Sequence, residues 1–312
     1  MSEDIQSVAV IGAGVIGASW ASLFLSHGLD VHVVDPRPGA EDELRAYIDE
    51  AWKHLAELRK IPEKPPAVSC RYHVGIASVP RSVGFVQECG PDRIGAKREL
   101  VAEIEAVIGS AVPIASSTSS LLASDIQEGA RYPGRILVAH PMNPPHLIPL
   151  VELVAGKLTT PEAMDRAQAF YDAIGRVTIR VQKERIGHLA NRLTSALYRE
   201  AVNIVAEGIG TVEDVDKAIA WGPGMRWAFM GPHLIYHLGG GKGGYRHYLE
   251  HLGPTQAARW QELGEPELTS EVIEALLNGL EVEIEGVDQA KLEQGRDAAL
   301  VALAKLKGAF PV

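Results

Sequence analysis

Gly12, Gly14 and Gly17 stand in the pattern G-x-G-x-x-G directly after the apolar run Ser7-Val8-Ala9-Val10-Ile11. In this pattern the first glycine permits a tight turn and the second lets the backbone approach a pyrophosphate. The third lets the next helix pack closely on the strand. Gly12, Gly14, Val15, Ile16 and Gly17 are therefore candidate cofactor-binding positions, where a helix N-terminus offers free N–H groups to phosphates. Asp35 follows 18 residues past Gly17. A carboxylate there accepts adenosine ribose hydroxyls and repels a 2′-phosphate, which favours NAD over NADP, although Arg37 works against that preference. A glycine-rich turn with no ligand is the plain alternative. His140 and Glu152, 12 residues apart, form a second candidate pair. A carboxylate inside the apolar run 149–154 is costly to bury alone. An imidazole partner would satisfy it, fix the tautomer and prepare the histidine as a general base. Spacing alone fits a structural histidine and a glutamate at a sheet edge somewhat better.

These residues need elements to hold them. Residues 7–11 and 31–35 read as buried parallel strands, with further strands at 84–88, 113–116, 135–139 and 150–154. Helical segments at 18–26, 41–60 and 96–108 alternate with them. The pattern predicts an α/β fold with a Rossmann-type, mostly parallel sheet covered on both faces. From Arg185 onward helix formers dominate, which predicts an all-α second domain. The expected division is 1–183 for NAD binding and 184–312 for substrate binding and dimerisation.

With 30 basic and 40 acidic side chains the formal net charge is −10, which argues against nucleic acid or an anionic membrane as the main partner. Cys70 and Cys89 are the only cysteines, so neither a disulfide framework nor a thiolate zinc site is expected, and a reduced, cytoplasmic setting is the default. The uncharged stretch 8–29 follows Glu3 and Asp4 and is interrupted by glycines, so it reads as strand–turn–helix rather than a membrane span. His247 and His251 are four apart but have no evident third ligand, so no metal is expected. The run 239–244 lacks Ser or Thr after Lys242 and reads as an interhelix loop rather than a phosphate loop.

The segment Ala139-His140-Pro141-Met142-Asn143-Pro144-Pro145, followed by Pro149-Leu150-Val151-Glu152, resembles the L-3-hydroxyacyl-CoA dehydrogenase superfamily. Ser116-Ser117-Thr118-Ser119-Ser120 and Ala190-Asn191-Arg192-Leu193 add to the resemblance, which runs from the glycine pattern to about residue 260. It implies that His140 and Glu152 form a catalytic dyad, and that Ser119 and Asn191 bind the reacting oxygen or orient the dyad. It also implies cofactor-side roles for Asn143, Glu88 and Lys97.

Departures from the acyl-CoA enzymes point to a smaller substrate. Ala51 and Leu58 stand nearest to the positions where those enzymes carry a Ser and a Lys that contact CoA. Their glycine-rich C-terminal ending is also absent. The segment 222–232, Gly-Pro-Gly-Met-Arg-Trp-Ala-Phe-Met-Gly-Pro, resembles a subgroup that includes carnitine 3-dehydrogenase and L-gulonate 3-dehydrogenase. His188 is a further departure, since related chains usually carry Gly-Phe where this one has Gly187-His188.

The expectation is thus an NAD-dependent dehydrogenase of a small L-3-hydroxy acid, with carnitine first and L-gulonate or 3-hydroxybutyryl-CoA as alternatives. A catalytically idle dinucleotide-binding structural protein is the alternative from another class. Arg226 is the candidate for pairing a substrate carboxylate, because its fork bonds both oxygens. Trp227, with Trp221, Phe229, Tyr236 and Tyr245, offers either aromatic faces for a quaternary ammonium or ordinary helix packing. A homodimer formed through the helical half is expected.

Overall fold

A computed structural model describes residues 5–66 and 69–308. The chain divides into two compact units, Met1–Arg192 and Leu193–Val312.

The first unit is built on one sheet of eight strands in the order β3-β2-β1-β4-β5-β6-β7-β8. They are β1 (Ser7–Ile11), β2 (Asp30–Val34), β3 (Cys70–His73), β4 (Phe85–Glu88), β5 (Ile114–Ser116), β6 (Ile136–Pro141), β7 (Leu150–Ala155) and β8 (Val177–Val181). Helices α1 (Val15–Ser26), α2 (Ala40–Leu58), α3 (Ile94–Val107), α4 (Ala123–Ile126) and α5 (Pro161–Ala173) alternate with the strands. Both faces of β1 are buried: Val8 and Val10 join one apolar cluster with Phe24 and Phe85, while Ala9 and Ile11 join the other with Val86 and Ile114. Double burial is why this strand reads as a continuous apolar run.

Two strands exceed the six expected from sequence. β3 and β8 lie at the two sheet edges, where one side is partly solvated. Such positions need fewer apolar residues, so Cys-Arg-Tyr-His and Val-Thr-Ile-Arg-Val carry little strand signal.

The pairing of β6 with β7 is antiparallel, and the other six pairings are parallel. Residues 142–149 link β6 to β7. A parallel crossover needs roughly a dozen residues or more, so this short link forces the strand to turn back. The consequence for the site is direct, because the antiparallel register sets His140 opposite Glu152.

The remaining helices are α6 (Ala190–Ala206), α7 (Val212–Trp221), α8 (Pro223–Trp227), α9 (Pro232–Gly239), α10 (Gly244–Glu262), α11 (Ser270–Glu283) and α12 (Gln289–Lys307). Thr211 and Asp214 cap the start of α7 reciprocally, and Thr269 and Asp288 cap α11 and α12. Among the described residues, no helix is long and apolar enough to cross a membrane.

Candidate active site

Strand order reverses between β1 and β4, and the loops leaving their C-terminal ends line a cavity of about 800 Å³. Open α/β sheets bind ligands at such switch points. Gly12 adopts φ +103°, and a Cβ there would stand 2.7 Å from the Cys89 carbonyl oxygen. At Gly17 a Cβ would lie 1.9 Å from the Gly12 oxygen, so only glycine lets α1 close onto the turn. Gly14 is different: nothing lies within 4 Å of its Cβ position, and its backbone borders the cavity. Val15 lines the same cavity and Ile16 a neighbouring one.

Asp35 closes the far side of the large cavity. Its carboxylate accepts from the Ala13 amide at 2.9 Å and the Arg37 amide at 2.9 Å, and pairs with the Arg37 guanidinium at 3.2 Å. Burial pushes the Asp35 carboxyl up, but these hydrogen bonds outweigh it and hold the group below its ordinary value. An ionised carboxylate, a bare glycine wall and an uncapped helix start fit a dinucleotide.

A second cavity of about 400 Å³ shares Cys89 and Gly90 with the first. His140, Ser119, Asn143, Asn191 and Lys97 all line it. His140 Nδ1 donates to Glu152 Oε2 at 2.8 Å, and Glu152 is fully buried. The other carboxylate oxygen, Oε1, accepts from the Leu189 and Ala190 amides at 2.8 and 3.0 Å, at the start of α6. Burial pushes the Glu152 carboxyl up, but the His140 bond and the two amides outweigh it and leave it below its ordinary value. Glu152 is therefore an anion at neutral pH with both oxygens occupied. It fixes His140 as the Nδ1–H tautomer and leaves Nε2 as the free nitrogen.

Ser119 sits on the loop after β5, and that loop is anchored by Asp92. The Asp92 carboxylate accepts from the Thr118 hydroxyl, from Ser119 Oγ at 3.3 Å and from Ser120 Oγ at 2.9 Å. Burial pushes its carboxyl up, and the hydroxyl donors and Lys97 together leave it lowered. Asp92 was not among the residues singled out from sequence. Its signal was available, since it is the one carboxylate in the loop leaving β4 at the switch point.

Glu88 and Lys97 form a buried ion pair at 2.8 Å, each about 1% exposed. Glu88 also accepts from the Gly90 amide at 2.6 Å and Ser116 Oγ at 2.6 Å, while Lys97 donates to the Gly90 carbonyl at 2.9 Å. The pair braces the Gly90 turn that both cavities share. Lys97 reaches the second cavity wall, and Glu88 lines neither cavity.

The structure thus brings His140, Glu152, Ser119, Asn191 and Asn143 together. Arg226 and Trp227 lie on α8 in the other unit, where both are exposed. The turn before α6 adds a feature that sequence did not reveal. Gly187 and His188 are both left-handed, with φ +78° and +48°. For a histidine this costs roughly 1–2 kcal/mol. His188 is buried, its ring centre lies 5.2 Å from that of His140, and its Nδ1 has no hydrogen-bond partner.

Known proteins match this architecture along the chain. Residues 7–185 match the 3-hydroxyacyl-CoA dehydrogenase NAD binding domain, and residues 187–287 match the C-terminal domain of the same family. The chain is 43% identical over 303 residues to an L-carnitine dehydrogenase of Nocardiopsis dassonvillei, covering 97% of this chain and 92% of that protein. An L-carnitine dehydrogenase of Bacillus cereus is 42% identical, with 97% and 92% covered. Among solved structures, 5-formyl-3-hydroxy-2-methylpyridine 4-carboxylic acid 5-dehydrogenase, described as an NAD+ dependent dismutase, superposes with a TM-score of 0.84 at 26% identity, covering 98% of this chain and 99% of that one. FadB2 of M. tuberculosis gives 0.68 at 26% identity, with 87% and 94% covered. The glycine turn, the His140–Glu152 pair and these matches lead to one conclusion: the chain belongs to the 3-hydroxyacyl-CoA dehydrogenase family, as an NAD-dependent oxidoreductase acting on a CH–OH group.

Proposed function

We propose that this protein oxidises L-carnitine, a small L-3-hydroxy acid, to the 3-keto acid with NAD. The observation that carries the chemistry is the buried His140–Glu152 pair, whose imidazole lines the second cavity. Bound NAD supplies the acceptor for the C3 hydride. His140 Nε2, left free by the Glu152 bond, takes the C3 hydroxyl proton, and the Glu152 carboxylate stabilises the imidazolium that forms. Ser119 and Asn191 orient the reacting oxygen from the same wall. In the reverse direction His140 returns the proton. Gly12, Gly14, Val15, Ile16, Gly17 and Asp35 would hold the dinucleotide, with Asn143 near its nicotinamide and the Glu88–Lys97 pair on the cofactor side. An idle dinucleotide-binding role is disfavoured because the whole proton-transfer set is in place.

Carnitine is favoured by the 40–43% identity to L-carnitine dehydrogenases over 96–99% of the chain. Charge leads to a substrate-binding role for the helical unit. The cations lining the two cavities, Arg37 and Lys97, are already paired with carboxylates. A substrate carboxylate needs a further cation. Arg226 is exposed and has no ion-pair partner among the described residues, so it is our candidate, with Trp227 beside it for the ammonium methyls.

The test is NADH formation at about 340 nm with carnitine, L-gulonate, 3-hydroxybutyrate and its CoA ester. Carnitine is expected to be turned over best, and Arg226→Met should raise its KM by roughly tenfold or more, the loss of a charge-assisted contact. Preference for the thioester would overturn the substrate reading, and an unchanged KM would remove Arg226 from the site.

We further propose that the protein works in the reduced cytoplasm, consistent with two free thiols, and as a homodimer joined through the helical unit. Helices α7, α9 and α11 bury no residue, and Leu193, Leu197, Leu277 and Leu280 are exposed. Sedimentation equilibrium should return twice the 33.6 kDa chain mass, and a monomer would overturn this.

A further inference from the structure

His188 is bonded to one side of the proposed proton-transfer machinery and adjoins the other. Its Nε2 lies 3.3 Å from the Thr118 carbonyl oxygen. A carbonyl only accepts, so Nε2 must carry the proton and donate. Thr118 immediately precedes Ser119, and its hydroxyl is also held by Asp92. The loop that presents Ser119 is therefore tied from two directions, by Asp92 through side chains and by His188 through backbone.

On its other side His188 leads into the Leu189 and Ala190 amides that occupy Glu152 Oε1. Its left-handed backbone, next to left-handed Gly187, turns those amides toward the carboxylate. One buried residue thus spans the oxygen-binding loop and the turn that holds the dyad's acid. It does so with an unfavourable backbone angle and an unpaired buried Nδ1. Burial, with the nearby His140 opposing a second charge, keeps its pKa lowered, which suits a neutral ring with its single proton on Nε2.

We propose that His188 is a positioning residue that fixes the spacing between Ser119 and the His140–Glu152 pair. The assignment rests on the proposed roles of Ser119 and the His140–Glu152 pair, and on carnitine only for the choice of assay substrate. His188→Phe keeps a flat ring of similar size but has no donor for the Thr118 carbonyl. His188→Gln places an amide N–H near the position of Nε2.

Steady-state kinetics with carnitine should show kcat falling roughly tenfold in His188→Phe, the loss of one supporting hydrogen bond. The KM for NAD and the thermal midpoint should stay near the parent values, and His188→Gln should recover most of kcat. A second measurement needs no substrate. In protein labelled with ¹⁵N-histidine, the resonances that disappear in His188→Phe should report a neutral ring protonated at Nε2. A parent-like kcat in His188→Phe, an equal loss in both variants, or an Nδ1–H tautomer would each overturn the proposal. If the parent oxidises none of the four substrates, the functional reading fails, and the nitrogen shifts still decide whether the tie exists.

Discussion

Replacing His140 with alanine is expected to lower turnover by about 10²- to 10⁴-fold, the range supplied by a positioned general base. The dinucleotide dissociation constant should change little, because the cavity lined by Gly12, Gly14 and Asp35 does not include the imidazole. Glu152 would keep its two backbone donors but lose its side-chain partner. Removing a hydrogen-bond donor from a buried carboxylate costs about 1.5–3 kcal/mol, so the thermal midpoint should fall as well. His140→Gln separates the two effects by retaining a side-chain donor while removing the base. Stopped-flow reduction of NAD and fluorescence titration of the dinucleotide read turnover and binding apart. Turnover within tenfold of the parent in both variants would dismiss the proton-transfer role.

Glu152→Gln should be nearly as damaging, on the order of 10³-fold in kcat, for a reason of hydrogen-bond polarity rather than shape. Both carboxylate oxygens accept, Oε2 from His140 and Oε1 from two amides. An amide offers one acceptor and one donor. Keeping its oxygen on the Leu189 and Ala190 amides turns its NH₂ toward His140 Nδ1, which forces the ring to the Nε2–H tautomer and removes the base from the cavity. The same substitution changes acid stability. The native carboxyl titrates below its ordinary value of 4.5, so its ionisation contributes stability that is complete above that pH and lost as pH falls through the lower folded value. Acid unfolding of Glu152→Gln should therefore be less steep below pH 4.5 than that of the parent. Parent-like kcat and an identical acid transition would show that the charge has no role.

Much of the frame was legible along the chain because it depends on local pattern. Gly12, Gly14 and Gly17 declare the turn, and the doubly buried strands declare the parallel half of the sheet. The reversal at β7 was also readable in principle, since eight residues between strands cannot form a parallel crossover. Asp92 could be singled out as the one carboxylate in the loop leaving β4, but its partners could not, because Thr118, Ser119 and Ser120 fold onto it from the next strand's loop. Glu88 and Lys97 are cofactor-side charges by resemblance, and the fold pairs them with each other beneath the Gly90 turn. Nine residues separate them in sequence, and only the packing of α3 on β4 decides that each meets the other.

By itself the sequence determined the dinucleotide turn, the α/β order followed by helices, and the residue types able to move a proton. These follow from backbone sterics and hydrophobic period, which act over a few residues. Tertiary structure alone decided that His140 faces Glu152, that Glu152 also takes two amides from the start of α6, and that His188 is buried beside them. Those outcomes depend on exact strand register and on how the turn before α6 folds back, which local sequence pattern does not fix.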